Sequence, residues 1–78
     1  MTNLETYKNC FIECLELEWE NVESASIETV PNWDSIGQMS LVALIEDAFS
    51  IEFEPEEMMA FTTYLSGLEI LKKHGIEL

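Results

Sequence analysis

The chain has 78 residues, and 16 Asp and Glu against 3 Lys and Arg give it a formal net charge of −13 at pH 7. This length allows one small domain with too little protein to enclose a deep active site. The charge excludes nucleic-acid binding through phosphates, because such binding requires clustered Lys and Arg. A hydrophobic fraction of 47% is enough for a compact core, and the acidic surface predicts partners with basic patches.

The chain shows no targeting or membrane-spanning pattern. Residues 1–5 lack both a basic start and an apolar run. The longest aliphatic stretch, residues 41–45, is far too short to cross a bilayer. We therefore expect a cytoplasmic protein without membrane insertion.

The first predicted helix begins near Asn3. Thr2 and Glu5 have the spacing of a capping box. Apolar residues then follow at intervals of three and four, and Trp19 is predicted to close this stripe near the helix end. The stripe consists of Leu4, Tyr7, Phe11, Cys14 and Leu15.

Cys10 and Cys14 lie one helical turn apart on this helix. Their expected Cβ separation of ~5–6 Å exceeds the ~3.5–4.5 Å of a disulfide. Metal binding would need more Cys or His nearby, and the one histidine is His74. We expect two buried or half-buried thiols and no metal site.

The helical pattern breaks over residues 20–32. A polar connection of this length is usually functional or held down by its own side chains. Val22, Ile27 and Val30 are the predicted anchors of this loop.

The second predicted helix covers about residues 35–49. Ser35 and Gln38 have capping-box spacing, and Asp34 is another candidate cap. Gly37 costs helix propensity by roughly 1 kcal/mol, and it leaves the surface beside Ser35 uncluttered. A hydroxyl at such a junction lies where unpaired N–H groups and the helix dipole favour an anion, which suits a permanent phosphate ester.

The rest of the chain predicts two more helices. Ile51 and Phe53 point inward from a short connection, and Pro55 opens a short helix over residues 55–61. Thr62 or Thr63 caps a last helix. Its predicted stripe consists of Tyr64, Leu65, Leu68 and Leu71.

The end of the last helix carries basic residues, Lys72, Lys73 and His74, which complement its dipole, and Gly75 is suited to the position after it. No strand pattern competes. The predicted fold is all-α, a small four-helix bundle of three longer helices and a short third one, forming a single domain over residues 1–78. Core packing is also predicted for Met39, Leu41, Ile45, Phe49, Met58 and Met59.

The exposed side of the second helix is a candidate partner surface, although a solvated face is the alternative. Its predicted members are Ile36, Gly37, Ser40 and Ala43, followed by the acidic Glu46 and Asp47.

An enzyme with a serine nucleophile would need a base beside Ser35. The one candidate base, His74, is at the far end of the chain, so we expect no catalytic residue.

Read together, these elements resemble the acyl carrier proteins and the related peptidyl and aminoacyl carrier domains over effectively the whole chain. Asp34-Ser35-Ile36 is similar to the Asp-Ser-Leu signature of that family. Residues 41–49 resemble its second helix with an acidic end. Ile51-Glu52-Phe53, the Pro-Glu-Glu start of the third helix and a Thr before the last helix follow in the expected order.

The resemblance implies that Ser35 receives a 4′-phosphopantetheine arm from coenzyme A, and that Asp34 belongs to the motif recognised by a magnesium-dependent phosphopantetheinyl transferase. The arm's thiol would hold an acyl or aminoacyl cargo as a thioester. A ligase would load this cargo and an acyltransferase or synthase would receive it. The protein itself would be a monomer that catalyses nothing.

Two departures from the family's fatty-acid carriers refine this interpretation. Gly37 and Ser40 stand where those carriers commonly have acids, and Asn32 and Trp33 replace a small pair. The sequence is more similar here to D-alanyl carrier proteins and to free-standing carriers of specialised lipid or secondary metabolite pathways. The alternative is an unmodified acidic helical interaction module with a carrier-like fold.

Overall fold

The fold is all-α, as predicted, and our computed structural model describes residues 2–78 of it. The helices are α1 (Asn3–Leu15), a 3₁₀ helix (Trp19–Ser24), α2 (Ser35–Phe49), α3 (Pro55–Ala60) and α4 (Tyr64–Lys73). The 3₁₀ helix lies partly within a stretch for which the sequence predicts a loop. Within residues 2–78, no helix has the length and apolarity needed to cross a bilayer.

Local capping signals set the helix boundaries. The predicted capping box of α1 is present, because Thr2 Oγ1 accepts the Glu5 N–H at 3.1 Å and Glu5 Oε1 accepts the Thr2 N–H at 2.9 Å. Thr63 caps α4 by accepting the Ser66 N–H at 3.0 Å. After α4, Gly75 adopts a φ of 82°, which confirms its predicted place after the helix.

The prediction for Trp19 is wrong. The helix α1 ends at Leu15, and Glu16 turns the chain with a left-handed φ of 55°. Trp19 therefore belongs to the 3₁₀ helix and is 48% exposed. Lys8 Nζ lies 4.7 Å from the centre of its indole ring and 3.3 Å from Glu23 Oε2, so Trp19 and Glu23 attach the 3₁₀ helix to α1.

Aromatic side chains form the centre of the core. Phe11, fully buried on α1, makes edge-to-face contacts with four rings. The four rings belong to Tyr7, Trp33, Phe61 and Tyr64, at centroid distances of 5.0, 5.4, 5.9 and 5.5 Å. Buried aliphatic side chains complete this core from the loop and from α2 and α4: Val22, Val30, Leu41, Val42, Ile45, Ile70 and Leu71.

Several residues predicted to be buried are exposed. Their exposed fractions are 46% for Ile27, 73% for Met39, 42% for Met58, 82% for Met59 and 64% for Leu65. Met39 lies on the outer face of α2 because Leu41, Val42 and Ile45 face inward. Since α3 has only six residues, it presents little inward surface, and the residue that it buries is Glu57.

The two cysteines are free thiols, Cys10 buried and Cys14 half-buried, as predicted. Removal from water raises the pKa of the Cys10 thiol to about 11 and also raises the pKa of Cys14. Both side chains therefore remain protonated at neutral pH and act as small apolar groups.

A hydrogen bond between two side chains connects α3 with the end of α4. Glu57 Oε1 lies 2.9 Å from His74 Nε2 and accepts the Glu54 N–H at 2.8 Å. The His74 ring also stacks on Phe53 at 6.3 Å. The backbone hydrogen bond from Glu54 and then the contact with His74 lower the pKa of Glu57 below its ordinary value. His74 therefore makes a tertiary contact in addition to its predicted role at the helix end.

Replacement of Glu57 by Gln should destabilise the fold in a pH-dependent way. We expect a loss of about 1 kcal/mol at pH 7, the difference between a hydrogen bond to a charged group and one to a neutral amide. Because the folded-state pKa is lowered, the carboxylate stabilises the fold above its unfolded-state pKa, and this contribution is lost as the pH falls through the folded-state value. Urea unfolding of wild type and Glu57→Gln should therefore converge at acidic pH.

The exposed Glu56 on the same helix provides the control, since Glu56→Gln should change the stability by less than about 0.5 kcal/mol at pH 7. A Glu57→Gln deficit that stays constant down to strongly acidic pH would contradict the role assigned to this carboxylate.

Candidate functional site

Ser35 is the first residue of α2, and its neighbour Asp34 caps the helix. Asp34 Oδ1 accepts the Gly37 N–H at 2.9 Å, while the Asp34 carbonyl accepts the Gln38 N–H at 2.7 Å. This corrects the predicted Ser35–Gln38 capping box. The Ser35 side chain is exposed, and its hydroxyl makes no hydrogen bond with any of residues 2–78. The hydroxyl is therefore accessible and is not needed to hold the helix.

The N-terminus of α2 also provides a favourable electrostatic setting. The N–H groups of a helix's first turn lack partners within the helix, and Asp34 takes up only that of Gly37 by its side chain. The N–H groups of Ser35 and Ile36 therefore point out of the helix end beside the hydroxyl. Such an end favours a phosphate group, so the residues present fit a phosphodiester on Ser35.

The loop before α2 is packed closely against its first turn at Gly37. A Cβ on Gly37 would collide with the Asn32 carbonyl oxygen and lie 3.2 Å from its carbonyl carbon. The Asn32 side chain in turn donates to the Leu15 carbonyl at 3.2 Å, which attaches this loop to the end of α1. Gly37 therefore lies half-buried against the loop, where the sequence predicts only an uncluttered surface.

Trp33 is a core residue that also makes a hydrogen bond to α2. It is 3% exposed, and its ring contacts Phe11 and Phe61 at centroid distances of 5.4 and 5.2 Å. Its indole N–H donates to Gln38 Oε1 at 2.6 Å, and Gln38 Nε2 donates to the Met58 carbonyl at 2.9 Å. We call this chain of hydrogen bonds the Trp33–Gln38–Met58 bridge.

The sequence interpretation missed Gln38 as a site residue, because its spacing from Ser35 suggested only a capping role. The bridge joins the loop before α2, the first turn of α2 and the carbonyl of a residue in α3. The sequence does place Gln38, an amide side chain in the first helical turn, close to Trp33. That pattern alone does not indicate that Gln38 also bonds to a residue 20 positions later.

A groove of about 530 Å³ opens beside Ser35. Asp34, Ser35 and Gln38 contribute its polar lining, and Trp33 also lines it. The rest of the lining is largely apolar: Ile27, Val30, Pro31, Met58 and Phe61. Ile27, predicted as a loop anchor, and Met58, predicted as a core residue, are thus wall residues of this groove.

The predicted partner residues divide into two groups. Ile36, which is 76% exposed, lies on the solvent side of α2 together with Ser40, Ala43 and Asp47. In contrast, Glu46 is half-buried, and its Oε2 accepts the Phe53 N–H at 2.7 Å. Glu46 and Gly37 therefore have structural contacts within the chain, and partner binding by all six residues stays a prediction.

The site shows no arrangement typical of hydrolytic or metal chemistry. His74, the one histidine of the chain, is hydrogen-bonded to Glu57. Among residues 2–78, no group of three or more His, Cys, Asp or Glu side chains is placed to hold a metal ion. The features that remain are an accessible hydroxyl at a helix N-terminus and an adjoining apolar groove.

The fold and this site are consistent with a phosphopantetheine attachment domain. A family model described as "Phosphopantetheine attachment site" matches residues 33–66, a span that includes Ser35, the bridge and all of α2 and α3. This match supports an acyl carrier protein-type family for the chain, in agreement with the resemblance seen in the sequence. Domains described by this model are sites of covalent 4′-phosphopantetheine attachment. A comparison with curated proteins found no match.

Proposed function

We propose that this protein is an acyl or aminoacyl carrier whose 4′-phosphopantetheine arm is attached to Ser35. The observation that carries this proposal is the exposed Ser35 hydroxyl, free of hydrogen bonds with residues 2–78, at the N-terminus of α2. Attachment would form a phosphodiester bond to Ser35 Oγ and break the pyrophosphate bond of coenzyme A; adenosine 3′,5′-bisphosphate would leave, and the Ser35 hydroxyl proton would pass to the transferase or to water. The helix N-terminus would stabilise the resulting negative charge by ~0.3–1 kcal/mol.

The chain's own residues would present the arm and leave the chemistry to other enzymes. Asp34 fixes the first turn of α2 and so holds the Ser35 hydroxyl in an accessible position. The attached arm would supply a terminal thiol that holds the cargo as a thioester. The protein would be non-catalytic and would depend on separate enzymes: His74, the candidate base, is hydrogen-bonded to Glu57, and the Asp34 carboxylate caps α2.

The partners we propose are a phosphopantetheinyl transferase, a loading ligase and a downstream acyltransferase or synthase. The net charge of −13 favours partner surfaces with basic residues. Ile36 and Met39, which are 76% and 73% exposed on α2, add an apolar contact next to Ser35. We propose a monomer in the cytoplasm, of the free-standing specialised or D-alanyl-carrier-like type that Asn32 and Trp33 suggest.

Replacement of Ser35 by Ala tests the proposal. After incubation with coenzyme A, Mg²⁺ and a broad-specificity phosphopantetheinyl transferase, the intact mass of the wild-type protein should increase by one phosphopantetheinyl group. Ser35→Ala should show no increase. Its stability should stay within about 0.5 kcal/mol of wild type, because the hydroxyl makes no hydrogen bond with residues 2–78.

Ser40→Ala is the matched control, since Ser40 is also exposed on α2. It should be modified like the wild type. An unchanged wild-type mass with several transferases would contradict the proposal and would favour the unmodified interaction module.

A further inference from the structure

We propose that the Trp33–Gln38 pair closes the interior of the bundle to the cargo. This carrier therefore handles short or polar acyl and aminoacyl groups on its surface and does not bury a long acyl chain. The inference rests on the proposed function and extends it by naming the class of cargo.

The first observation is the packing beneath the groove. Trp33, Phe61 and Phe11 are 3%, 1% and 0% exposed. The Trp33 ring makes edge-to-face contacts with Phe61 at 5.2 Å and with Phe11 at 5.4 Å. Rings at these separations are in direct contact, so a methylene chain could pass between them only if the rings moved apart.

The second observation is that Trp33 is held in place by hydrogen bonds. Its indole N–H donates to Gln38, whose amide is fixed in turn by the Met58 carbonyl. A chain that entered from Ser35 would have to displace the indole and leave its N–H without the Gln38 partner. Because the bridge spans the loop, α2 and α3, this displacement would also loosen the contact between α2 and α3.

The third observation concerns the methionines, whose flexibility could have allowed the interior to expand. Met39 and Met59 are 73% and 82% exposed, and Met58 lines the outer groove at 42% exposed. The interior near Ser35 is lined instead by stiff aromatic rings. The groove of about 530 Å³ offers apolar walls on the surface, where a short group can rest while it stays in contact with solvent.

The test uses the protein with an acetyl, hexanoyl or decanoyl thioester on its arm. A phosphopantetheinyl transferase attaches each acyl-phosphopantetheinyl group to Ser35 from the corresponding acyl coenzyme A, and adenosine 3′,5′-bisphosphate leaves. Nuclear magnetic resonance reports the indole N–H signals of Trp33 and of Trp19, an internal control that is 48% exposed. We expect the hydrogen exchange of the Trp33 indole and the Tm to be the same for all three groups, whereas the position of its signal also responds to a group that rests in the groove lined by Trp33. Faster exchange of the Trp33 indole together with a Tm that rises with chain length would overturn the inference.

Two variants test whether the Trp33–Gln38 pair is responsible. Trp33→Leu makes space beside Phe61. Gln38→Ala removes the acceptor of the Trp33 indole N–H and leaves the buried side chains unchanged, so it provides the test if Trp33→Leu does not fold. In these variants the Tm should rise from the acetyl to the decanoyl form, and in Gln38→Ala the Trp33 indole should exchange at least about tenfold faster than in wild type. If the Tm depended on the acyl chain length in neither variant, the assignment of closure to the Trp33–Gln38 pair would be overturned.

Closure of the interior can also be tested by chemical alkylation, without the transferase. This experiment can fail or succeed independently of the proposed function. In a Cys14→Ala background, Ser35→Cys can be alkylated with short and long alkyl iodoacetamides, because Cys10 is buried and its raised pKa of about 11 keeps it protonated. Failure of enzymatic modification would contradict the proposed function alone. A long alkyl group that raises the Tm and speeds the hydrogen exchange of the Trp33 indole would contradict closure of the interior alone.

Discussion

Gly67→Ala should lower the free energy of unfolding by about 2 kcal/mol, because overpacking at the upper end of its range, about 3 kcal/mol, exceeds ~1 kcal/mol of gained helix propensity. A Cβ at Gly67 would collide with the Tyr7 hydroxyl oxygen and lie 2.6 Å from Phe61 Cε1. Tyr7 is fully buried and donates its hydroxyl to the Tyr64 carbonyl at 2.7 Å, so the ring cannot move without losing that hydrogen bond. Gly67 is thus what allows α4 to approach α1.

Urea unfolding and thermal melting measure this effect, and for a domain of this size the Tm should fall by roughly 10–20 °C. The double variant Tyr7→Phe with Gly67→Ala should recover part of the loss, because the colliding oxygen is gone. Gly75→Ala is the matched control: its Cβ would meet no atom within 4 Å, and only the φ of 82° opposes it, at about 1 kcal/mol. Equal stability of Gly67→Ala and wild type would contradict the close packing of α4 on α1.

Gly37→Ala should be the second most damaging of these substitutions, and it should affect both stability and modification. The Cβ would strike the Asn32 backbone, which the Asn32 side chain and the buried Trp33 hold in place. The overpacking costs about 1–3 kcal/mol, offset by ~1 kcal/mol of gained helix propensity. We expect a net loss of about 0–2 kcal/mol and slower modification of Ser35, because the loop beside the hydroxyl is displaced.

The modification rate should be measured by intact mass at a temperature where wild type and variant are both fully folded, so that unfolding does not explain the decrease. Ser40→Ala separates the effect of helix propensity from that of overpacking. It adds helix propensity on the exposed side of α2 without a collision with the Asn32 backbone. If Gly37→Ala were more stable than wild type, the close approach of the loop to α2 would be contradicted.

The secondary structure was predictable because its signals are local. The bounds of α2 agree with the prediction over residues 35–49, and the cap of α1 by Thr2 and of α4 by Thr63 depends on residues within one turn. The position of Ser35 at the start of a helix follows from the same signals. The accessible hydroxyl beside a helix N-terminus could therefore be located before any tertiary contact was known.

The exposure of individual side chains was less predictable. The spacing of apolar residues identifies a helix, but it does not identify the inward face of a helix that is short or largely apolar. On α2, Met39 and Leu41 are both apolar, yet only Leu41 is buried. On α3 the residue that faces inward is Glu57, because His74 and the Glu54 N–H satisfy its carboxylate. Which side chain is buried depends on the contacts and hydrogen-bond partners that the neighbouring element provides, and the local sequence does not contain that information.

The sequence by itself determined that this is a small acidic all-α protein with a serine at the start of its second helix, and it indicated the resemblance to carrier proteins. Those properties depend on composition, chain order and spacings of three and four residues. Only the tertiary structure decided what surrounds that serine: the Asn32 carbonyl against Gly37, the Trp33–Gln38–Met58 bridge, and the groove that Met58 helps to line. These contacts depend on how the loop, α2 and α3 pack together, and side chains satisfied by partners in other elements leave no periodic signal in the chain.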